Sequence, residues 1–126
     1  MGDSVTFRLP ASPGAVAEAR AAAVKAASER QLADSVVETL RLLVSEVVTN
    51  SVRHAPASEV VELALTFDGE LRVEVTDHGD GFDPQPRSGR SDAPGGWGLY
   101  LVERLSKRWG VKRNGSTRVW FALPRA

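Results

Sequence analysis

The chain has 126 residues, long enough for one domain with its own hydrophobic core, and its 16 basic and 16 acidic side chains give a formal net charge of 0. That balance argues against a dedicated nucleic-acid binder, which carries a basic excess, and the absence of cysteine excludes disulfides and thiolate metal sites. No stretch is apolar for long enough to span a membrane: the Ala-rich run from Ala15 to Ala27 is broken by Glu18, Arg20 and Lys25, so a soluble helix and a cytoplasmic location are expected.

Alternating Val5, Phe7 and Leu9 predict a strand over residues 4–9, ended by Pro10. Ser12-Pro13 predicts a helix start, with a capping hydroxyl followed by proline at the first helical position, and the helix should run to about Arg30. A second helix is expected from Asp34 to Ala55, stopped by Pro56, because Val37, Leu40, Leu43, Val44, Val47 and Val48 keep helical spacing. Val61, Leu63, Leu65 and Phe67 alternate, as do Leu71, Val73 and Val75, so two strands follow. Asp68-Gly69 between them looks like a two-residue turn, but that register would set the two apolar sets on opposite faces. A three-residue loop, Asp68 to Glu70, pairs Leu65 with Val73 and Leu63 with Val75 and is the expected register.

Residues 79–95 hold glycine, proline, serine and charge without a period and predict a loop. A helix carrying Leu101, Val102 and Leu105 comes next, then short strands near Trp109–Lys112 and Arg118–Leu123 with Asn114-Gly115 as their turn. The order implies an α+β two-layer sandwich, a mixed and mostly antiparallel sheet with helices on one face, as a single domain over residues 1–126.

Three clusters carry chemistry. Glu46 and Asn50 stand four apart on the second helix, with Arg53 continuing the stripe. A carboxylate and an amide beside an apolar face are costly unless paired or liganded; the plain alternative is the solvated side of an amphipathic helix. Asp77-His78-Gly79-Asp80-Gly81 follows a strand directly. Its carboxylate can accept from an exocyclic amine such as adenine N6 while the glycines let the backbone approach a flat ligand, the plain alternative being a turn. A calcium-loop reading fails for want of a glutamate at the twelfth position. Gly95-Gly96-Trp97-Gly98-Leu99 opens a helix, where free N–H groups and the helix dipole suit phosphate; neither a P-loop nor a dinucleotide fingerprint fits.

In this order the three clusters resemble the N, G1 and G2 boxes of the GHKL ATPase superfamily, which has the histidine-kinase-like ATPase fold. Residues 43–55 (LVSEVVTNSVRHA), 95–102 (GGWGLYLV), 108–111 (RWGV) and 117–121 (TRVWF) resemble the anti-sigma-factor serine kinases of bacteria. The resemblance covers almost the whole chain and implies ATP and Mg²⁺ as cofactors. It implies that Asp77 binds adenine N6 with Thr117 in support, that Gly79 and Gly81 line the base and ribose, and that Asn50 holds Mg²⁺. It further implies that Glu46 accepts or orients the proton of the attacking group, and that Gly96, Gly98 and Leu99 set backbone N–H groups against the phosphates. Residues 79–95 become an ATP lid, short for the family and lacking the lysine-bearing stretch of longer members; Arg87 and Arg90 are candidates to replace it as phosphate clamps, the plain alternative being solvated loop arginines. His54 and His78 are left out of the chemistry. The implied activity is serine phosphorylation of a small antagonist protein, with a sigma factor as a second partner and a homodimer compatible with the family.

The alternatives are a full histidine kinase, a stand-alone histidine-kinase-like ATPase, a topoisomerase-like or chaperone-like ATPase, a non-catalytic module gated by ATP, and a structural protein with vestigial boxes. About thirty residues precede the second helix, too few for a helical hairpin bearing a phosphoacceptor histidine, and the long transducer domains of the topoisomerase and chaperone branches are not expected. Glu46 argues against the non-catalytic module.

Overall fold

The computed structural model describes residues 3–54, 60–78, 96–113 and 115–126. Strand β1 (Asp3–Pro10) leads to helices α1 (Gly14–Glu29) and α2 (Asp34–His54); β2 (Val60–Phe67) and β3 (Leu71–Asp77) follow, then α3 (Gly96–Leu105), β4 (Arg108–Arg113) and β5 (Thr117–Leu123). Each expected element is present, with ends shifted by one or two residues.

The start of α1 differs from expectation. Pro13 itself is the N-cap residue, with φ of −56°, and no side chain caps the helix. Ser12 contributes its carbonyl instead, accepting from the Ala15 N–H at 2.9 Å. The other end closes by a Schellman arrangement: Leu32 N–H donates to the Ala27 carbonyl and Gln31 N–H to that of Ser28. Gln31 occupies the left-handed position at φ 59° that glycine usually fills, a strain of about 1–2 kcal/mol that buried Leu32 offsets by anchoring the turn. Small residues Ala15, Ala19, Ala23, Ala26 and Ala27 form the buried stripe of α1, letting it approach α2, β1 and β2 closely.

The five strands lie in the order β1-β2-β3-β5-β4. All four pairings are antiparallel, where a mixed sheet was expected. The connection through α3 does return β4 in the direction of β3, but β5 folds back between them, so the two parallel strands never touch. The hairpin between β2 and β3 takes the three-residue register, with Leu65 opposite Val73 and Leu63 opposite Val75. Its loop is tied by Asp68 Oδ1, which accepts from the Glu70 N–H at 3.2 Å. At the β4–β5 turn Gly115 has φ of 75°, which suits glycine; Asn114 lies outside the described residues.

Alternate residues of β2, β3 and β5 point toward the helices and are buried: Leu63 and Leu65, Leu71, Val73 and Val75, Val119, Phe121 and Leu123. With Leu40, Leu43, Val44, Val47 and Val48 of α2 they form the core. The opposite face carries Arg8, Glu62, Arg72, Glu74 and Arg118, joined by ion pairs between Arg8 and Glu62 and from Arg72 and Arg118 to Glu74. On it the Trp120 ring lies against Gly110, where an added Cβ would come within 2.6 Å of Nε1, and the Arg72 guanidinium sits 4.0 Å above the ring. Among the described residues no helix is long and apolar enough to cross a membrane.

Candidate functional site

The last turns of α2 carry the first cluster. Apolar residues at helical spacing roll one face of this helix into the core, and polar residues along the border take graded positions. Arg53 is exposed, Glu46 is half-buried, and Asn50 is 2% exposed. The stripe is therefore not a uniformly solvated face. Thr49 Oγ1 donates to the Ser45 carbonyl at 2.6 Å, and Ser45 Oγ to that of Arg41 at 2.8 Å, so these hydroxyls are used within the helix. Asn50 is different: neither Oδ1 nor Nδ2 finds a hydrogen-bond partner among the described residues. A buried amide left so costs about 1–3 kcal/mol, and such a group calls for a ligand or another explanation.

The second cluster begins on β3, a strand against which α2 packs. Asp77 is the last residue of β3 and is 1% exposed. Its register partner on β5 is Thr117, 2% exposed, and on β2 it is Val61, fully buried. The sheet's alternation explains the burial: Asp77 has the parity of Leu71, Val73 and Val75, so a strand with that apolar set sends its terminal carboxylate to the helix side. His78 follows and is exposed. Gly79 and Gly81 lie outside the described residues, as do the expected lid and its Arg87 and Arg90.

The third cluster opens α3. Gly96 is the first helical residue, Gly98 lies in the first turn, and Leu99 is buried. The first turn holds no acidic residue, so no carboxylate of that turn opposes the positive end of the helix dipole. This helix packs on α2. The fold thus places Asn50 and Glu46 on a helix that touches β3, β5 and α3 together.

Among the described residues no group of three or more His, Asp or Glu side chains could hold a metal ion alone. A divalent ion here would take few protein oxygens and most of its shell from water or a ligand, the habit of Mg²⁺.

Sequence reasoning passed over Ser51, which is buried beside Asn50, and Arg113, which shares a register row with Thr117. Ser51 carries no signal beyond being a polar residue on a helix. The position of Arg113 follows only from the pairing of β4 with β5.

Residues 9–123 match the histidine kinase-like ATPase domain family. A serine-protein kinase RsbW from Listeria monocytogenes is 34% identical over 120 residues, spanning 83% of this chain and 76% of the relative. The serine-protein kinase RsbW of Bacillus subtilis is 32% identical over 132 residues, spanning 93% and 82%. A crystal structure of the RsbU and RsbW domains of a Mycobacterium tuberculosis protein matches with a TM-score of 0.73 and 24% identity, which concerns the fold alone; it covers 97% of this chain and 32% of that one. The histidine kinase domain of a blue-light-activated histidine kinase from Erythrobacter litoralis matches with a TM-score of 0.54 and 33% identity, covering 71% and 46%. The chain belongs to the histidine kinase-like ATPase domain family.

Proposed function

We propose that this protein is an ATP-dependent serine-protein kinase of the anti-sigma type, phosphorylating a small antagonist protein and binding a sigma factor as its second partner. One observation carries the reading: the buried Asn50 amide, without a hydrogen-bond partner among the described residues, lies one turn from Glu46 on a helix packed against β3, β5 and α3. In a family of ATP-binding domains whose curated relatives are named serine-protein kinases, that amide has a ready use.

Asp77 accepts a hydrogen bond from adenine N6, and Thr117 beside it supports the carboxylate. Gly79 and Gly81 line the base and ribose, while Gly96, Gly98 and Leu99 turn backbone N–H groups toward the phosphates. The Asn50 amide oxygen is a hard, buried donor and fits Mg²⁺; when bound, that ion neutralises charge on the phosphate oxygens. The serine hydroxyl oxygen of the partner forms a bond to the γ-phosphorus as the bond to the β,γ-bridging oxygen breaks, and ADP leaves. Glu46 orients the hydroxyl and takes its proton, a contribution of about 10²–10⁴ in rate. Such transfer is mainly positioning and charge neutralisation, which suits a site made of one helix face, one strand end and one helix N-terminus. A phosphate added to the partner's serine changes its charge by about −1.5 to −2, enough to expel it from a complementary interface.

The test is incubation of the chain with Mg-ATP and candidate antagonists, read by intact-protein mass. The expected result is a gain of one phosphoryl group on the partner and none on this chain, with the gain lost in Glu46→Ala while ATP still binds. Bound Mg-ATP with no modified partner would replace the kinase by a binding module gated by nucleotide.

A further inference from the structure

One row of residues crosses the helix-facing side of the sheet at the end where β3 finishes. Val61 on β2 is opposite Asp77 on β3, Asp77 is opposite Thr117 on β5, and Thr117 is opposite Arg113 on β4. The parity of β4 agrees: Trp109 and Val111 pack against the core, and Arg113 is two residues beyond Val111 on the same side. The row therefore reads apolar, carboxylate, hydroxyl, guanidinium. Val61, Asp77 and Thr117 are buried, and Arg113 is exposed at the edge strand. Two strand spacings, about 10 Å, separate the backbones of Asp77 and Arg113, a gap that a long arginine side chain and a purine edge fill together.

We infer that Arg113 is a base-specificity residue of the nucleotide site, donating to adenine N1 while Asp77 accepts from N6. The inference rests on the adenine assignment made under the proposed function. Adenine offers on its Watson–Crick edge one donor, N6–H, and one neighbouring acceptor, N1. A carboxylate satisfies only the donor. A guanidinium carries five N–H groups and no acceptor, so it satisfies only the acceptor, and the row holds one of each. Guanine inverts both positions, with O6 an acceptor and N1–H a donor; it would face a carboxylate with an acceptor and a guanidinium with a donor. The pair rejects guanine twice, and a site built to hydrogen-bond one edge discriminates strongly against a ligand that cannot match it. Arg113 is the last residue of β4 and pairs with Thr117, so its backbone is fixed by the ladder at the edge of the row.

The experiment is calorimetric titration of the full chain and of Arg113→Ala and Arg113→Lys with adenosine, ATP, 1-deazaadenosine and GTP. Because Arg113 is exposed, the variants are expected to keep the wild-type circular dichroism and melting temperature. Arg113→Ala should lose about tenfold in affinity for adenosine and for ATP alike, about 1.4 kcal/mol. It should lose nothing for 1-deazaadenosine, which lacks the N1 acceptor, and should bind GTP relatively better; Arg113→Lys should recover part of the loss. A loss confined to ATP and absent with adenosine would make Arg113 a phosphate contact and overturn the inference. An equal loss with 1-deazaadenosine, or no loss at all, would overturn it too. If the unaltered chain binds neither adenosine nor ATP, the adenine assignment itself falls; if it binds both and Arg113→Ala binds them as tightly, only the role of Arg113 falls.

Discussion

At its first residue β3 is enclosed. Leu71 pairs with Phe67 on one side and Leu123 on the other, all three are buried, and Glu70 just outside turns away to ion pairs with Arg108 and Lys107. At its last residue the same strand buries Asp77 between Val61 and Thr117, under a helix whose Asn50 amide finds no hydrogen-bond partner among the described residues. The residues at both ends are buried, but only the second has beside them an amide, that of Asn50, left unmatched among the described residues. A protein holds its marginal stability by satisfying what it buries, so the unmatched end is where binding free energy is available to a ligand. The Leu71 end should respond to mutation through stability, and the Asp77 end through binding.

The largest effect is expected at the Leu71 end. Leu71→Ala removes a fully buried side chain between two buried neighbours and should destabilise the fold by about 2–5 kcal/mol. Urea unfolding should show the loss, while ATP affinity of the folded fraction stays at the wild-type value. A change in intrinsic ATP affinity of similar size would mean that the two ends are coupled and the comparison is wrong.

Asp77→Asn reverses the pattern at the other end of the strand. A hydrogen bond to a charged group contributes about 1.5–3 kcal/mol, so ATP affinity should fall roughly 10- to 150-fold. The melting temperature of the free protein should change far less than in Leu71→Ala, since an amide of the same shape replaces the carboxylate and leaves no cavity. Titration calorimetry and a thermal melt on the same sample decide it. Equal affinity for ATP and GTP in the unaltered chain would count against the adenine assignment.

A smaller effect separates stability from function at a single residue. Asn50→Leu replaces the unmatched amide by an apolar side chain of similar size, and the free protein should gain about 1 kcal/mol because no unmatched amide is then left buried at that position. The same variant should lose the Mg²⁺-dependent part of ATP binding, seen by comparing titrations with and without the metal. A variant that is less stable than the wild type would show that the Asn50 amide is matched after all.

Much of this was legible in the sequence, and the reasons differ from residue to residue. The three-residue loop after β2 followed from parity alone, because a one-residue slip would have turned Val73 and Val75 away from the core. Asp77 and Asn50 stood out as candidates because one precedes paired glycines and the other stands four residues from a carboxylate on an apolar helix; the structure buries both, and their roles toward ATP belong to the proposal. The antiparallel pairing throughout was not legible. Whether β4 or β5 lies beside β3 depends on which strand the α3 connection reaches first, and both hairpin partners have similar patterns. The missing cap at Ser12 was hidden for a local reason: Pro13 already has helical φ, so the chain turns before a hydroxyl is needed. Arg113 stayed invisible because membership of a cross-strand row is a property of register, not of neighbouring residues.

The smallest expected effect concerns the pH response of the Leu71 end. The Arg108 guanidinium beside Glu70 holds its carboxyl below the ordinary 4.5, with Lys107 adding to the same direction. A carboxylate whose folded pKa is depressed contributes stability that is fully present above its unfolded value and is lost as pH falls through the folded one. Glu70→Gln should therefore lower the melting temperature near neutral pH, and the difference from wild type should shrink as pH drops below about 4.5 and vanish below the folded pKa. Thermal melts from about pH 7 to about pH 3 on both proteins measure it. The contribution is modest because Glu70, Arg108 and Lys107 lie at the surface, where water and salt screen the pairs; added salt should reduce the difference at neutral pH. ATP affinity at neutral pH should be the same in both proteins, since Glu70 stands at the far end of β3 from Asp77. A loss of nucleotide binding in Glu70→Gln, with stability intact, would break the division between a structural end and a binding end on which the other predictions rest.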